Sequence, residues 1–438
     1  MPATMLSPRI LLAAVLMELA TWLYRPATRL ARRVVQAVAP RKSGMAVANR
    51  KRELLVDVSI IAKYDAGTGI QRVVRSLLWQ LIDAPPPDFI VRPVLATRRR
   101  AYRYADDFLA SFGAVSVDTG RHRLAPQLGD IFLGLDLTSR ILALRQFDFL
   151  AWKAKGVQLM FVVYDVLPAH HPEWFTARGN RSFLHWFSTI AIHADSLISI
   201  APTTRDAAAQ LIQARFSIDA SSLPIRNFPL GCDIGGRVRG RARTTARKTR
   251  ARSDSPLIIM VGTIEPRKGH TLVIEAFETR WREMDDPARL VIVGRLGWGM
   301  DTFAERFSWR CAASGGKLSW IDDADDDQLS KIYRQADGLV FASEAEGYGL
   351  PIVEAAHYGI PLLLRDLPIF REIAGEHASY FTATNGDELA VQLGGWLTRL
   401  ERRDAPDSAS ITRFTWRDSA AALKNLLVAA PLATHTST

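Results

Sequence analysis

The chain has 438 residues, 48% of them hydrophobic and 23% charged, with 28 glycines and 22 prolines. That balance is globular: it excludes a disordered polymer, a collagen-like repeat and a multi-span membrane protein, and the length suits two or three domains with full cores. The formal charge of +11 is concentrated in two places, with +9 in residues 1–52 and +8 in residues 237–252, which leaves the rest of the chain at −6.

A mildly acidic folded body does not present a phosphate-gripping surface, so nucleic acid is not expected as a partner. The two cysteines, Cys232 and Cys311, exclude a disulfide scaffold and a Cys-rich zinc site, and read as packing residues in a reducing compartment.

From the N-terminus, Ile10 to Tyr24 is apolar apart from Glu18 and is followed by Arg25, Arg29, Arg32 and Arg33. The run is shorter than the ~20 residues of a spanning helix. Trp22 and Tyr24 beside arginines suit an interfacial segment lying on an anionic membrane surface. A cleaved secretory signal and an amphipathic helix docked on the protein are the alternatives.

From Glu53 onward, apolar runs that read as buried strands recur at 54–62, 89–95, 131–137, 158–164 and 195–200. Between the first two, Val74, Leu77, Leu78 and Leu81 share one helical face. Alternating strand and helix with apolar strands predicts a doubly wound α/β parallel sheet. The Arg-rich stretch interrupts this pattern as a solvated linker or loop. The pattern then restarts with strands at 257–263, 289–293, 338–342 and 361–364, and helices at 270–281, 328–336 and from Pro351. The predicted organisation is a basic segment 1–52, a Rossmann-like domain 53–236, a linker 237–253, a second Rossmann-like domain 254–410, and a C-terminal helix and tail 411–438 that returns to the first domain.

Four strand-to-helix loops carry chemistry. Ser343–Ala356 turns through Gly347 and Gly349 into a helix with Pro351 in its first turn. Backbone N–H groups and a positive helix end there favour a phosphate or sugar oxygen, while Glu346 and Glu354 can accept hydrogen bonds from ligand hydroxyls. Val261–His270 places Arg267 and Lys268 side by side at another strand end, as a fork and a point charge for phosphate oxygens. Asp65–Val74 carries Gly67 and Gly69, which permit close backbone approach or a tight turn. Tyr164–Glu173 offers Asp165, His170 and His171 as acid–base or sugar-contacting groups. The acidic run Asp322, Asp323, Asp325, Asp326 and Asp327 directly precedes a helix and reads as capping and solubility rather than as a metal site.

These motifs resemble the retaining family-4 glycosyltransferases of GT-B fold, in which two Rossmann-like domains face each other across a cleft. Glu346 to Glu354 resembles their Glu-x7-Glu signature and Val261–Gly269 their donor-diphosphate loop. Asp57-Val-Ser with Gly69-Ile-Gln-Arg-Val-Val, and Trp416-Arg-Asp-Ser-Ala, resemble the bacterial subgroup that makes O-antigen, capsule and exopolysaccharide, often as mannosyl- or rhamnosyltransferases. The resemblance implies that Glu346 contacts donor-sugar hydroxyls, and that backbone N–H groups of Gly347, Tyr348, Gly349 and Leu350 hold sugar and phosphate oxygens. It implies that Glu354 binds the ribose and that Arg267 and Lys268 neutralise the diphosphate, with no metal and no other cofactor. Gly67 and Gly69 would line the acceptor side, and Asp165, with His171, would face the reacting sugar. Thr263 stands where many members carry Arg, and Tyr164 where many carry His.

The expected activity is sugar transfer, best assigned as mannose from GDP-mannose, from a nucleotide diphosphate sugar to a lipid-linked or oligosaccharide acceptor. It is expected to proceed by front-side attack at the inner face of the cytoplasmic membrane. A GT-B nucleotide-sugar epimerase and a non-catalytic nucleotide-sugar-binding module are the alternatives.

Overall fold

The structure, a computed structural model, describes residues 26–40, 50–111, 124–234 and 255–429. The apolar segment 10–24, the Arg-rich linker 237–253 and the tail after 429 lie outside the described residues. The chain divides into two compact units: the first runs to Pro229 and resumes at Arg417, and the second spans Leu230–Trp416. The division therefore falls before residue 236, the expected end of the first domain.

Unit 1 is a seven-stranded sheet built from β1 (Arg52–Asp57), β2 (Phe89–Leu95), β3 (Arg103–Tyr104), β4 (Ile131–Gly134), β5 (Gln158–Val163), β6 (Ser196–Ser199) and β7 (Ile225–Asn227). The order is β3-β2-β1-β4-β5-β6-β7, parallel except for the antiparallel edge pair β2–β3. The helical face read from Val74, Leu77, Leu78 and Leu81 is buried in helix Gly69–Asp83. The core joins Phe132, Phe149, Phe161, Trp152 and Tyr102 in mutual edge and tilted ring contacts 5.2–5.9 Å apart.

Unit 2 is a six-stranded, wholly parallel sheet of β8 (Leu257–Val261), β9 (Arg289–Val293), β10 (Leu318–Ile321), β11 (Gly338–Phe341), β12 (Leu362–Arg365) and β13 (Ser379–Phe381), in the order β10-β9-β8-β11-β12-β13. In both sheets the winding direction reverses beside the first strand, between β1 and β4 and between β8 and β11. A crevice for ligands forms at such a switch point, beyond the carboxyl ends of the strands.

Several strands end earlier than the apolar runs suggest. β1 stops at Asp57 rather than Ala62, because the N–H groups of Ile60 and Ile61 both donate to Oδ2 of Asp136 at 2.8 Å. Consecutive N–H groups that converge on one oxygen cannot belong to a strand, where they point to opposite sides. β4 likewise ends at Gly134, three residues before Leu137, freeing Asp136 for that task. The acidic run does cap a helix: Asp325 Oδ1 accepts from Gln328 N at 2.7 Å and Gln328 Oε1 from Asp325 N at 3.0 Å, opening helix Asp326–Gln335.

Of the alternatives for the N-terminal segment, its described part, helix Pro26–Val38, is docked on unit 1. Ala31 and Val35 pack against Leu150 and Ile192. Between them Arg32 is 5% exposed and donates to the carbonyls of Ala191 (2.9 Å), Ala194 (2.8 Å) and Ser222 (2.6 Å). Burial lowers its pKa to about 10 while Asp195 and Asp219 oppose the shift, so the guanidinium stays charged at neutral pH and caps the C-terminal carbonyls of helix Ala177–His193. Among the described residues no helix is long and apolar enough to cross a membrane. Helix Trp416–Val428 closes the described chain; Trp416 belongs to unit 2, where its N and Nε1 donate to Asp233 at 2.7 and 3.0 Å. From Arg417 the helix belongs to unit 1, where Lys424 Nζ donates to the Ala84 carbonyl at 3.0 Å.

Replacing Arg32 by Met keeps the apolar stem but strands three carbonyls. We expect a loss of about 2–4 kcal/mol in urea unfolding, against less than ~0.5 kcal/mol for Arg33→Met on the exposed face.

Candidate functional site

In unit 2 the loops after β8 and β11 meet at the switch point. The backbone joins them first: Glu344 N donates to the Arg267 carbonyl at 2.8 Å. Gly269 makes that approach possible. Its φ of +73° starts helix His270–Met284, and a Cβ there would lie 2.5 Å from the Ala342 carbonyl oxygen. Arg365 on β12 then ties the sheet edge from below, donating Nε to Ala342 O at 3.0 Å and Nη1 to Ala383 O at 3.2 Å.

The side chains complete the junction. Arg267 Nη1 reaches Ala345 O at 3.0 Å and Glu346 Oε2 at 3.4 Å, and its Nη2 lies 3.1 Å from Glu265 Oε2. Lys268 Nζ pairs with Glu346 Oε1, which also accepts from Ser343 Oγ at 2.7 Å. Burial pushes the Glu346 carboxyl up, but Lys268 and then Arg267 outweigh it and hold it below the ordinary carboxylate range. Arg267, Lys268 and Glu346, expected from separate motifs, thus form one ionised cluster.

The remaining residues expected on the donor side lie on the same loop and helix. Gly349, with φ +111°, precedes helix Leu350–His357, which has a proline in its first turn. Tyr348 is half-buried; that burial pushes its pKa up, and the Leu230 backbone at its hydroxyl opposes the shift. Gly347 is buried beside it. Glu354 is 2% exposed and accepts from Tyr333 OH at 2.8 Å; Tyr333 in turn stacks on Tyr358 at 5.4 Å. The second glutamate is therefore oriented from within the domain.

In unit 1 the expected acceptor-side groups sit on loops at the carboxyl edge of the sheet. Gly67 adopts φ +68° and its N–H donates to Asp65 at 3.0 Å. Gly69 is exposed at the helix start and does not use the left-handed region, so only Gly67 carries the conformational demand. Gln71 knots the loop, accepting from Ala66 N at 2.7 Å and donating to Tyr64 O at 2.7 Å. Asp165 accepts from Leu167 N at 3.0 Å and so starts the short helix Leu167–His170, with His170 exposed at its end. His171 stacks on Trp174 at 3.9 Å and its Nδ1 lies 3.1 Å from Glu173 Oε1, so its partners belong to its own loop. Tyr164 is 4% exposed and donates to Leu135 O at 2.7 Å.

Two buried carboxylates underpin these loops. Asp57 accepts from Ser59 N (3.0 Å), Ser59 Oγ (2.5 Å), Tyr102 OH (2.7 Å) and Thr138 Oγ1 (3.3 Å). Burial lifts its pKa to about 7, hydrogen bonding from Ser59 opposes the shift, and Asp136 adds to it. Asp136 is raised as well, by burial against backbone N–H groups. The Asp-Val-Ser stretch was visible in the sequence, but nothing there marked Asp136 as its companion.

Comparison with known proteins gives these loops a context. Residues 242–411 match the family described as "Glycosyl transferases group 1". Residues 242–411 are a glycosyltransferase group 1 domain. The chain is 37% identical over 387 residues to the serotype-specific mannosyltransferase WbdA of Escherichia coli, an alignment that covers 87% of this chain and 46% of WbdA. The chain thus spans about half the length of the curated relative it matches. It is also 29% identical over 121 residues to O-antigen chain mannosyltransferase B of Escherichia coli, covering 27% of this chain and 30% of that protein. Among solved structures it is similar to sucrose-phosphate synthase of Thermosynechococcus elongatus (TM-score 0.55, 16% identity, 86% of this chain and 96% of that one). A second is Anabaena HepE solved with UDP-glucose (TM-score 0.53, 14% identity, 86% and 96%). The fold is that of the GT-B glycosyltransferases, two parallel-sheet α/β units.

The group 1 domain contains the whole Arg267–Lys268–Glu346 cluster and Glu354. It also contains a residue not singled out from the sequence: His270, 2% exposed at the start of its helix, with neither ring nitrogen hydrogen-bonded. Burial, reinforced by Lys268, pushes its pKa down to about 3, so it is neutral and adds no charge to the cluster. Among the described residues no three His, Cys, Asp or Glu side chains converge as metal ligands would.

Gly269→Ala forces both a left-handed alanine and a backbone clash; we expect a loss of about 2 kcal/mol or more, read as a fall of ~4–8 °C in the melting of unit 2. For Asp57 the sign follows from a raised pKa. As pH rises, the unfolded chain releases this proton near its ordinary value of 3.8, while the folded chain holds it to about 7, so stability falls across that window. Asp57→Asn should be less stable at pH 4, because an amide accepts fewer of these bonds. It should also show a shallower decline in melting temperature between pH 4 and 7 than the wild type.

Proposed function

We propose that this chain is a glycosyltransferase of cell-surface polysaccharide synthesis that moves a sugar, mannose from GDP-mannose, onto a lipid-linked glycan, with retention at the anomeric carbon and without a metal ion. The likeness to WbdA and to O-antigen chain mannosyltransferase B supports the sugar and the polysaccharide context. The observation that carries the reading is the contact of Arg267 and Lys268 with Glu346 at the switch point of the group 1 domain.

Breaking the anomeric C–O bond builds negative charge on the departing diphosphate and positive charge on the sugar ring. Arg267, Lys268 and the start of helix Leu350–His357 stabilise the first; Glu346, placed next to those cations, accepts hydrogen bonds from sugar hydroxyls. Glu354, held by Tyr333, binds the ribose. Lys268 pairs with Glu346, and Arg267 with Glu346 and Glu265. Donor binding is then an exchange in which phosphate oxygens take over Lys268 and the sugar hydroxyls take over Glu346. The phosphate oxygen that leaves accepts the acceptor's proton on the same face, so the configuration is kept. Gly67 and Gly69 serve the acceptor, and Asp165, with His171, acts on the reacting sugar.

The test is a thermal-shift screen against nucleoside diphosphates and their sugars, with product analysis by NMR. GDP and GDP-mannose should stabilise the wild type, and Lys268→Ala should reduce that affinity at least about tenfold. Glu346→Gln should bind GDP as well as or better than the wild type, yet transfer mannose at least about a hundredfold more slowly. Stabilisation by another base would reassign the donor, product of inverted configuration would overturn retention, and activity abolished by EDTA and restored by a divalent ion would overturn metal independence. Release of an altered sugar nucleotide without acceptor would replace transfer by epimerisation.

A further inference from the structure

We propose that the rim of unit 1 formed by the loops after β2 and β4 is a docking surface for an anionic lipid bilayer. β2 and β4 flank β1 in parallel, so their following loops rise from the same sheet edge on either side of the β1 loop. After β2 come Arg98, Arg99 and Arg100, all exposed. Their turn is rigid: Thr97 N donates to Arg100 O at 3.0 Å, and Thr97 Oγ1 accepts from the N–H groups of Arg99 and Arg100 at 3.3 and 3.0 Å. Arg145 Nη2 donates to Arg98 O at 3.2 Å and so joins this turn to the segment after β4. That segment carries exposed Arg140 and two exposed apolar side chains, Leu144 at 52% and Phe147 at 57%.

Neighbouring acids do not neutralise the patch. Asp65 is paired with Arg75, Asp106 lies 3.8 Å from Arg92, and Asp148 faces Arg145 and is pushed up by burial. Arg98, Arg99, Arg100 and Arg140 form no ion pair with any described residue. Two exposed apolar side chains on a rim that carries four guanidinium groups are too few apolar contacts for the core of a protein interface. They match a lipid surface, where arginine heads meet phosphates and the leucine and phenylalanine enter the headgroup boundary. The described N-terminal helix, by contrast, spends its central arginine and its apolar face on the protein itself.

This inference goes beyond the proposed transfer reaction and is tested without turnover, so its failure leaves that reading standing. Full-length protein without nucleotide is co-sedimented with vesicles of phosphatidylcholine alone and with an equimolar mixture of phosphatidylcholine and phosphatidylglycerol. The wild type should partition onto the anionic vesicles at least about tenfold better than onto the neutral ones, and Arg98→Glu/Arg99→Glu/Arg100→Glu should remove most of that gain. Leu144→Ser/Phe147→Ser should weaken binding several-fold and leave a residue that high salt abolishes. Arg29→Glu/Arg33→Glu, on the exposed side of helix Pro26–Val38, should bind as the wild type does. All these positions are exposed, so unchanged melting curves identify folded variants. Equal binding to both vesicle types, full binding by the rim variants, or loss confined to the Arg29/Arg33 variant would each overturn the assignment.

Discussion

A single carboxylate, Glu346, joins the loops after β8 and β11 in the group 1 domain. It is largely buried, and a buried carboxylate without partners is expensive, so it is ionised only because Lys268, Arg267 and Ser343 converge on it. The convergence requires two loops, one after β8 and one after β11, to be held within hydrogen-bonding distance. The backbone bond from Glu344 to Arg267 and the glycine at 269 provide that proximity. Removing any one of these elements leaves the others with uncompensated polar groups. In the proposed reaction, such an arrangement would be preorganised for the charge that develops on the leaving group.

Unit 1 solves the same topological problem with the opposite electrostatics. Its switch point also holds buried carboxylates, Asp57 and Asp136, but their donors are neutral: hydroxyls of Ser59, Tyr102 and Thr138, and backbone N–H groups of Ser59, Ile60 and Ile61. Neutral donors do not offset burial, to which Asp136 adds at Asp57 and Asp65 adds at Asp136, so these carboxyls rise where Glu346 falls. Unit 1 therefore uses its acids to shape loops, and unit 2 uses its acid to hold cations.

The inner strands were legible because each is an apolar run and each chemistry-bearing loop is punctuated by glycine or proline; the edge strands β3, β7, β10 and β13, short or interrupted by polar residues, were not anticipated. β2 and β9 fall on the residues the runs indicate. The overlong first strand has a different origin. Val58, Ile60 and Ile61 are as apolar as the strand before them, and only the partner of their N–H groups, a carboxylate far along the chain, decides that they turn. The same blindness hides Arg32, Arg365 and Tyr333. A buried arginine capping carbonyls, an arginine tying strand ends, and a tyrosine orienting Glu354 have no local signature that separates them from surface residues. The Arg267–Lys268 and Glu346 motifs were legible as loops, but their pairing is a property of strand order, which places β8 beside β11.

That pairing also constrains what can bind in the proposed reaction. With Lys268 and Arg267 already matched by Glu346 and Glu265, an incoming diphosphate gains only the difference between two sets of charge-assisted bonds, not the full attraction of two free cations. A bare phosphate that displaced Glu346 would leave that carboxylate buried and unpaired. A donor that carries sugar hydroxyls supplies the replacement donors for it in the same step. In the proposed reaction the cluster would therefore favour the intact nucleotide sugar over simple anions, through the residue that has no positive charge.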